Sequence, residues 1–149
     1  MARGALKMKR GLRKSDSGTA LVEFAIVAPM LALLLIGVID FGRYTYDGIL
    51  AANAARAGAQ YGAQTLITAK DSTGIQNAAL QDAQNLPNLS AQGNPVCMVS
   101  GAPVTCGTAN AVVYVQVNTT GHFTPLFNYP GLASTVTISG SAMMRVEQQ

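Results

Sequence analysis

The feature that most constrains this chain is an uninterrupted apolar run near its N-terminus. From Thr19 to Ile39 the sequence reads TALVEFAIVAPMLALLLIGVI, twenty-one residues in which Glu23 is the only charged side chain. A helix of this length extends about 31 Å, which matches the hydrocarbon core of a bilayer. The sequence contains no second run of comparable length and apolarity. We therefore expect a single transmembrane helix over residues 19–39.

Basic residues are concentrated directly before this run. Residues 1–18 carry six of the ten lysines and arginines and one aspartate, so their net charge is +5, whereas the rest of the chain carries −2. Lysines and arginines that flank a membrane span stay on the cytoplasmic side. We expect residues 1–18 to be a basic cytoplasmic leader, and this position argues against nucleic-acid binding.

A cleaved secretory signal is disfavoured. The apolar region of such a signal is usually about 7–15 residues long and ends at a small-x-small site, whereas this run is longer and no such site closes it.

The helical pattern continues beyond the span to about Thr68, so residues 40–68 are predicted to extend the same helix outside the membrane. Small residues at steps of four let a neighbouring helix or sheet approach the backbone closely. A face that binds a partner subunit and an ordinary packing face both fit this pattern. The predicted helix-packing face consists of Ala51, Ala55, Ala59 and Ala63.

Residues 69–149 are predicted to form a small exported α+β domain. A short helix over residues 75–86, capped by Ser72 or Thr73, precedes a loop-rich stretch with a small hairpin around the cysteines. Apolar and polar residues then alternate around residues 113–117 and again over 135–146, as in half-buried strands. The expected fold class is α+β: a long N-terminal transmembrane helix, extended outside the membrane and packed on a small antiparallel sheet, as in pilins.

Cys97 and Cys106 are the two cysteines, with eight residues between them. In an oxidising compartment we expect them to form a disulfide, which stabilises the fold by about 2–3 kcal/mol.

Asp40 and Arg43 follow the span and can pair, but an exposed pair of this kind contributes little to stability. We interpret them as markers of the outer boundary of the span.

The sequence does not predict an enzyme. His122, the single histidine, is placed in a turn, and no nucleophile elbow, HExxH motif or phosphate-binding glycine loop is present. One histidine and two cysteines do not complete a tetrahedral zinc site. We expect no catalytic residues, no metal and no cofactor.

Glu23 is the most informative residue, because a carboxylate in a membrane helix is costly unless it is partnered or near an interface. The lysines of the leader are one possible partner. The other is a new amino terminus: cleavage after Gly18 makes Thr19 the first residue, and its amine then lies one helical turn from Glu23.

The segment from Gly18 to Phe24, GTALVEF, resembles the processing site of tight-adherence pilins and pseudopilins. The longer stretch GTALVEFAIVAPMLALLLIGVIDFGR, followed by AARAGAQYGA, is similar to TadE-like pseudopilins, and the tail SAMMRVE is more weakly similar. The resemblance is strongest over residues 18–63 and weaker at 132–147. It implies that a prepilin peptidase cuts between Gly18 and Thr19, and that Glu23 and Phe24 serve assembly.

The resemblance further implies an involvement in assembling a thin Flp-type pilus. Major Flp pilins have little beyond the helix, so the exported domain indicates a minor or accessory subunit. Expected partners are the bacterial inner membrane, the prepilin peptidase, other pilin or pseudopilin subunits and the assembly platform, within a homo- or hetero-oligomer. The alternative is an unprocessed single-pass envelope protein whose periplasmic or extracellular domain binds a partner or a surface.

Overall fold

The computed structural model describes residues 16–127, 131 and 134–147, with side chains from residue 18 onward. Helix α1 runs over Asp16–Gly62 and includes Pro29. It is long and apolar enough to cross a membrane, and no residue of its most apolar 18-residue stretch is buried by the rest of the chain. Most of the predicted basic leader lies outside the described residues. The chain divides into two compact units, Met1–Gly37 and Val38–Gln149.

Helix α1 ends at Gly62, six residues before the predicted end at Thr68. The reason is a local turn in which two threonines bond to each other's backbone. The Thr65 amide donates to the Thr68 hydroxyl at 2.9 Å, and the Thr68 amide donates to the Thr65 hydroxyl at 3.1 Å. Threonine side chains that bond nearby backbone groups in this way compete with helix formation.

A 3-10 helix over Thr68–Lys70 leads into α2, Ser72–Asp82. The N-cap of α2 is Asp71, whose carboxylate accepts a hydrogen bond from the Gly74 amide at 2.9 Å. The prediction of Ser72 or Thr73 as the cap was therefore wrong by one or two positions. Aspartate is as good an N-cap as serine, so the sequence alone did not separate these candidates.

The sheet contains β1 (Ser90–Val99), β2 (Ala102–Val104), β3 (Val112–Phe123) and β4 (Val136–Arg145). All neighbouring strands are antiparallel, and their order is β2-β1-β3-β4. The two strands predicted from alternation correspond to β3 and β4. With α1 and α2 on the sheet, the fold is α+β, as predicted.

Strand β1 was not foreseen, because its segment was expected to be loop-rich with only a small hairpin. The hairpin exists, since β2 pairs with β1 from Cys97 to Val99. The rest of β1 pairs along β3, beginning with Ser90 opposite Thr120. Pro95 is tolerated because β2 does not reach it, which leaves β1 an edge strand there. His122 likewise belongs to β3 and not to a turn.

The core lies between the helices and one face of the sheet. Along β3, Val115, Val117, Thr119 and Phe123 are buried, whereas the alternate residues from Gln116 to His122 are exposed. Two clusters of buried residues fill the space. The first contains Ala51, Ala54, Ala79, Ala83, Leu86, Leu89, Ala91, Phe123 and Ile138, and the second contains Ala55, Ala59, Ala69, Ile75, Val115, Val117 and Val146.

Candidate functional site

The predicted processing segment lies at the start of α1. Gly18, Thr19, Glu23 and Phe24 are all exposed, and Phe24 retains 66% of its accessible surface. A Cβ atom added to Gly18 meets nothing within 4 Å. Thr19 and Glu23 are four residues apart, so their side chains lie on the same side of the helix one turn apart. Among the residues that the structure describes, Glu23 takes part in no ion pair.

The apolar side chains that follow Gly18 are solvent-exposed in the isolated chain. Twelve large apolar residues keep between 46% and 69% of their surface. A soluble protein of this size rarely leaves such a continuous apolar surface uncovered. These residues are Leu21, Val22, Phe24, Ile26, Val27, Met30, Leu31, Leu33, Leu34, Leu35, Val38 and Ile39.

Asp40, directly after the apolar run, is only 7% exposed. Both of its carboxylate oxygens accept the Leu126 backbone amide at 3.1 Å. The Arg43 guanidinium donates to the same carboxylate at 3.1 Å. The expected pairing of Asp40 with Arg43 is present. Asp40 is more than a marker of the boundary, because it also binds a backbone segment that is distant in the sequence.

Arg43 and Tyr44 extend this contact to the end of β3. The Arg43 guanidinium carbon lies 5.4 Å from the centre of the Phe123 ring, within cation–π range. Tyr44 meets the same ring edge to face, with centroids 5.7 Å apart. Asp40, Arg43, Tyr44, Phe123 and Leu126 form what we call the Asp40 cluster. The only sequence signal for it was a charged pair after an apolar run, which does not identify the partner segment.

The predicted helix-packing face is turned toward the sheet of the same chain. Ala51, Ala55 and Ala59 are completely buried, and Ala63 is half-buried. The Thr119 hydroxyl, itself fully buried, donates to the Ala51 carbonyl at 2.7 Å. Helix and sheet are therefore close enough for a direct side-chain-to-backbone hydrogen bond between them.

Glycines make this approach possible. A Cβ atom on Gly62 would lie 2.9 Å from Val115 Cγ1, and one on Gly140 would lie 2.5 Å from the Ala51 carbonyl oxygen. The first neighbour is a side chain, but the second is backbone and has little freedom to move. The four-residue alanine repeat signals this face, whereas Gly140 carries no signal in its own strand.

Tyr61 and Asp71 join the end of α1 to the start of α2. The Tyr61 hydroxyl donates to the Asp71 carboxylate at 2.9 Å. The Gly74 amide and then the Tyr61 hydroxyl stabilise the carboxylate, so the pKa of Asp71 is lowered. The same hydrogen bond, with a smaller effect of burial, raises the pKa of Tyr61.

Cys97 and Cys106 form the predicted disulfide, with an S–S distance of 2.01 Å. It ties β1 to the segment after β2. Among the described residues, no group of three His, Cys, Asp or Glu side chains is placed to hold a metal ion.

Comparison with protein families finds a match for the N-terminal helix. The family model described as TadE-like protein matches residues 18–60, which lie entirely within α1. This confirms the resemblance predicted from the sequence for that segment, and the weaker resemblance at residues 132–147 lies outside the match. No curated protein and no solved structure matches the chain.

Proposed function

We propose that this chain is a membrane-anchored minor pilin or pseudopilin that takes part in assembling a Flp-type, tight-adherence pilus. The TadE-like match over residues 18–60 supports involvement in such a pilus system. The observation that carries the proposal lies in the matched segment, which begins at Gly18 and carries Glu23 five residues later. It continues as an apolar surface that its own chain leaves uncovered. Lipid and neighbouring subunits are the surroundings in which such a surface is stable.

In this proposal residues 1–18 stay in the cytoplasm, residues 19–39 cross the bacterial inner membrane, and the sheet domain is exported. The net charge of +5 before the span supports this orientation. The disulfide fits an oxidising compartment outside the cytoplasm. Other pilin subunits and the assembly platform are the proposed partners.

Glu23 is the proposed assembly residue. Prepilin peptidase cleaves after Gly18, and the new Thr19 ammonium lies one helical turn from the carboxylate, within one subunit or between neighbours. The two charges then neutralise each other, which lowers the cost of keeping a carboxylate in the membrane. Phe24 lies beside Glu23 on the exposed surface and contributes apolar contact between subunits.

Mass spectrometry of the membrane-extracted protein tests the processing step. We expect an N-terminus at Thr19, and an intact leader on Gly18→Ala. Both Gly18 and Gly37 have open space where a Cβ would be added, so Gly37→Ala is a control of equal steric effect that leaves cleavage intact. An intact leader on the unmodified protein would support the unprocessed envelope protein instead.

Glu23→Gln tests the assembly role, because it keeps the size of the side chain and removes its charge. We expect membrane insertion and cleavage to persist, while co-purification with other pilus subunits decreases. Normal co-purification of the Glu23→Gln protein would contradict the pairing with the Thr19 amine.

A further inference from the structure

We propose that the segment after β3, Thr124–Phe127, is a second membrane contact, in which Leu126 and Phe127 enter the interfacial layer of the bilayer beside the end of the span. This inference rests on the membrane anchoring proposed above. It adds a lipid-binding surface on the sheet domain. Leu126 is 86 residues away in the sequence from Asp40, the residue that follows the apolar run.

The position of this segment is fixed by Asp40. The Leu126 amide donates to both Asp40 oxygens, and Asp40 is the first residue after the apolar run that ends at Ile39. The twenty-one residues of that run extend about 31 Å and so use up the hydrocarbon core of a bilayer. Leu126 is therefore held at the height where the span meets the headgroup layer.

The exposed side chains of the segment are apolar. Leu126 is 58% exposed and Phe127 55%, whereas Val115, Val117 and Phe123 of the preceding strand are buried. Thr124 and Pro125 precede them, so the described part of the segment carries no charge. Single exposed apolar residues are common, whereas two in succession on a segment held by hydrogen bonds form a small apolar patch.

The surroundings on α1 have the composition of a membrane interface. Phe41, Tyr44 and Tyr46 are 69%, 39% and 54% exposed and lie within seven residues of the end of the run. Tyrosine is enriched where its ring meets acyl chains and its hydroxyl meets water. The Arg43 side chain, 46% exposed, remains partly open to lipid phosphates while it pairs with Asp40. Continuity with the lipid-facing helix therefore favours lipid as the occupant over a protein partner.

The absence of tryptophan from the sequence makes a direct test possible. Phe127→Trp introduces a single reporter into the full-length protein, reconstituted in phosphatidylcholine–phosphatidylglycerol nanodiscs whose acyl chains are brominated. We expect brominated lipid to reduce the emission of Phe127→Trp at least about twofold, with stronger quenching by bromines near the headgroup than by deep ones, as for an interfacial ring.

Two further variants calibrate the result. Leu34→Trp places the reporter within the proposed span and must be quenched by deep bromines. Met143→Trp has similar exposure, 51%, but Met143 pairs with Gln116, seven residues before Phe123 and so about 23 Å away along β3. We expect no quenching of Met143→Trp.

The outcomes separate the two proposals. An unquenched Leu34→Trp would overturn the membrane anchoring itself. Quenching of Leu34→Trp with no more quenching of Phe127→Trp than of Met143→Trp would overturn this inference alone. So would a Phe127→Trp reporter that is shielded from acrylamide yet untouched by brominated lipid, because a protein partner would then cover it.

Asp40 variants test the tether. Asp40→Ala, made in the Phe127→Trp protein, removes both acceptors of the Leu126 amide, and we expect at least half of the lipid quenching to disappear. Asp40→Asn keeps one acceptor oxygen and should retain most of it. Equal quenching in all three proteins would show that Asp40 does not place the segment in the membrane.

Discussion

Between Leu21 and Ile39, α1 presents large apolar side chains that keep 46–69% of their surface. Between Ala51 and Gly62 the same helix buries Ala51, Ala54, Ala55 and Ala59 completely. The more hydrophobic region is thus the less buried one. The first region relies on its surroundings to cover it, and length and apolarity are enough for that. The second relies on close approach to its own sheet, for which small side chains matter more than hydrophobicity.

The effect of a substitution should therefore depend more on the region in which it lies than on its chemistry. In the first region a Cβ atom added at Gly37 meets nothing within 4 Å. In the second, added bulk meets the sheet, where Thr119 bonds the Ala51 carbonyl and Gly140 lies against the same backbone. The variants that distinguish the two regions are made in the full-length protein, and their stability is measured in detergent micelles.

Gly140→Ala should have the largest effect. Its Cβ would lie 2.5 Å from the Ala51 carbonyl oxygen, so helix and sheet must separate, at a cost of about 3 kcal/mol. We expect the sheet domain to lose protease resistance while extraction from the membrane still requires detergent. Gly121→Ala is the matched control, because its Cβ would be an ordinary 3.5 Å from Leu89 Cδ1. If both variants resist protease equally, the close approach at Gly140 does not limit the fold.

Removal of the disulfide comes next. The Cys97–Cys106 bridge closes a short loop, so its loss should cost about 2–3 kcal/mol through the entropy of the unfolded chain. We expect the double variant Cys97→Ala and Cys106→Ala to lower the Tm of the sheet domain and leave the helical signal of α1 unchanged. A reducing agent should lower the Tm of the unmodified protein and not that of the double variant. A reductant effect on both would assign the loss to something other than this bridge.

The same substitution in each region gives the most direct comparison. Ala59 is completely buried, so Ala59→Leu should overpack the helix–sheet contact and destabilise the domain by about 1–3 kcal/mol. Ala32 is exposed, so Ala32→Leu should change stability by less than about 0.5 kcal/mol. Thermal unfolding followed by near-UV circular dichroism measures both. Equal shifts in Tm for the two variants would contradict the prediction that only the second region is sensitive to added volume.

The smallest effect concerns pH and involves Asp71 in the second region. The Gly74 amide and the Tyr61 hydroxyl lower the pKa of Asp71 in the folded state, so its contribution is complete above the unfolded value of about 3.9. That contribution is lost as the pH falls through the lower folded pKa. Asp71→Asn keeps an N-cap but does not titrate. Its Tm should therefore fall less steeply below pH 4 (roughly the unfolded pKa) than that of the unmodified protein.

Tyr61→Phe serves as the partial case for this prediction. It removes the second cause of the lowered pKa and leaves the Gly74 amide in place, so its acid dependence should lie between the other two. A slope identical to that of Asp71→Asn would show that the tyrosine, and not the backbone amide, dominates.

Local patterns in the sequence were enough to predict several features of this protein. The apolar run and the alanine repeat predicted α1 and its packing face, the alternation of apolar and polar residues predicted β3 and β4, and the cysteine pair predicted the disulfide. Each depends on residues close together in the chain, where the periods of helix and strand leave a direct record. The early end of α1 was missed because the Thr65–Thr68 hydrogen bonds are too specific to read from residue types.

Three contacts follow from the assembled fold alone: Asp40 binds the Leu126 amide, Gly140 lies against the Ala51 backbone, and β1 pairs with β3 from Val112 to Thr120. The residues in the first contact are 86 positions apart, and those in the second are separated by most of the domain. Contacts of this kind depend on how finished elements come together. Helical and strand periods say which face of an element is apolar, but not which partner that face will meet.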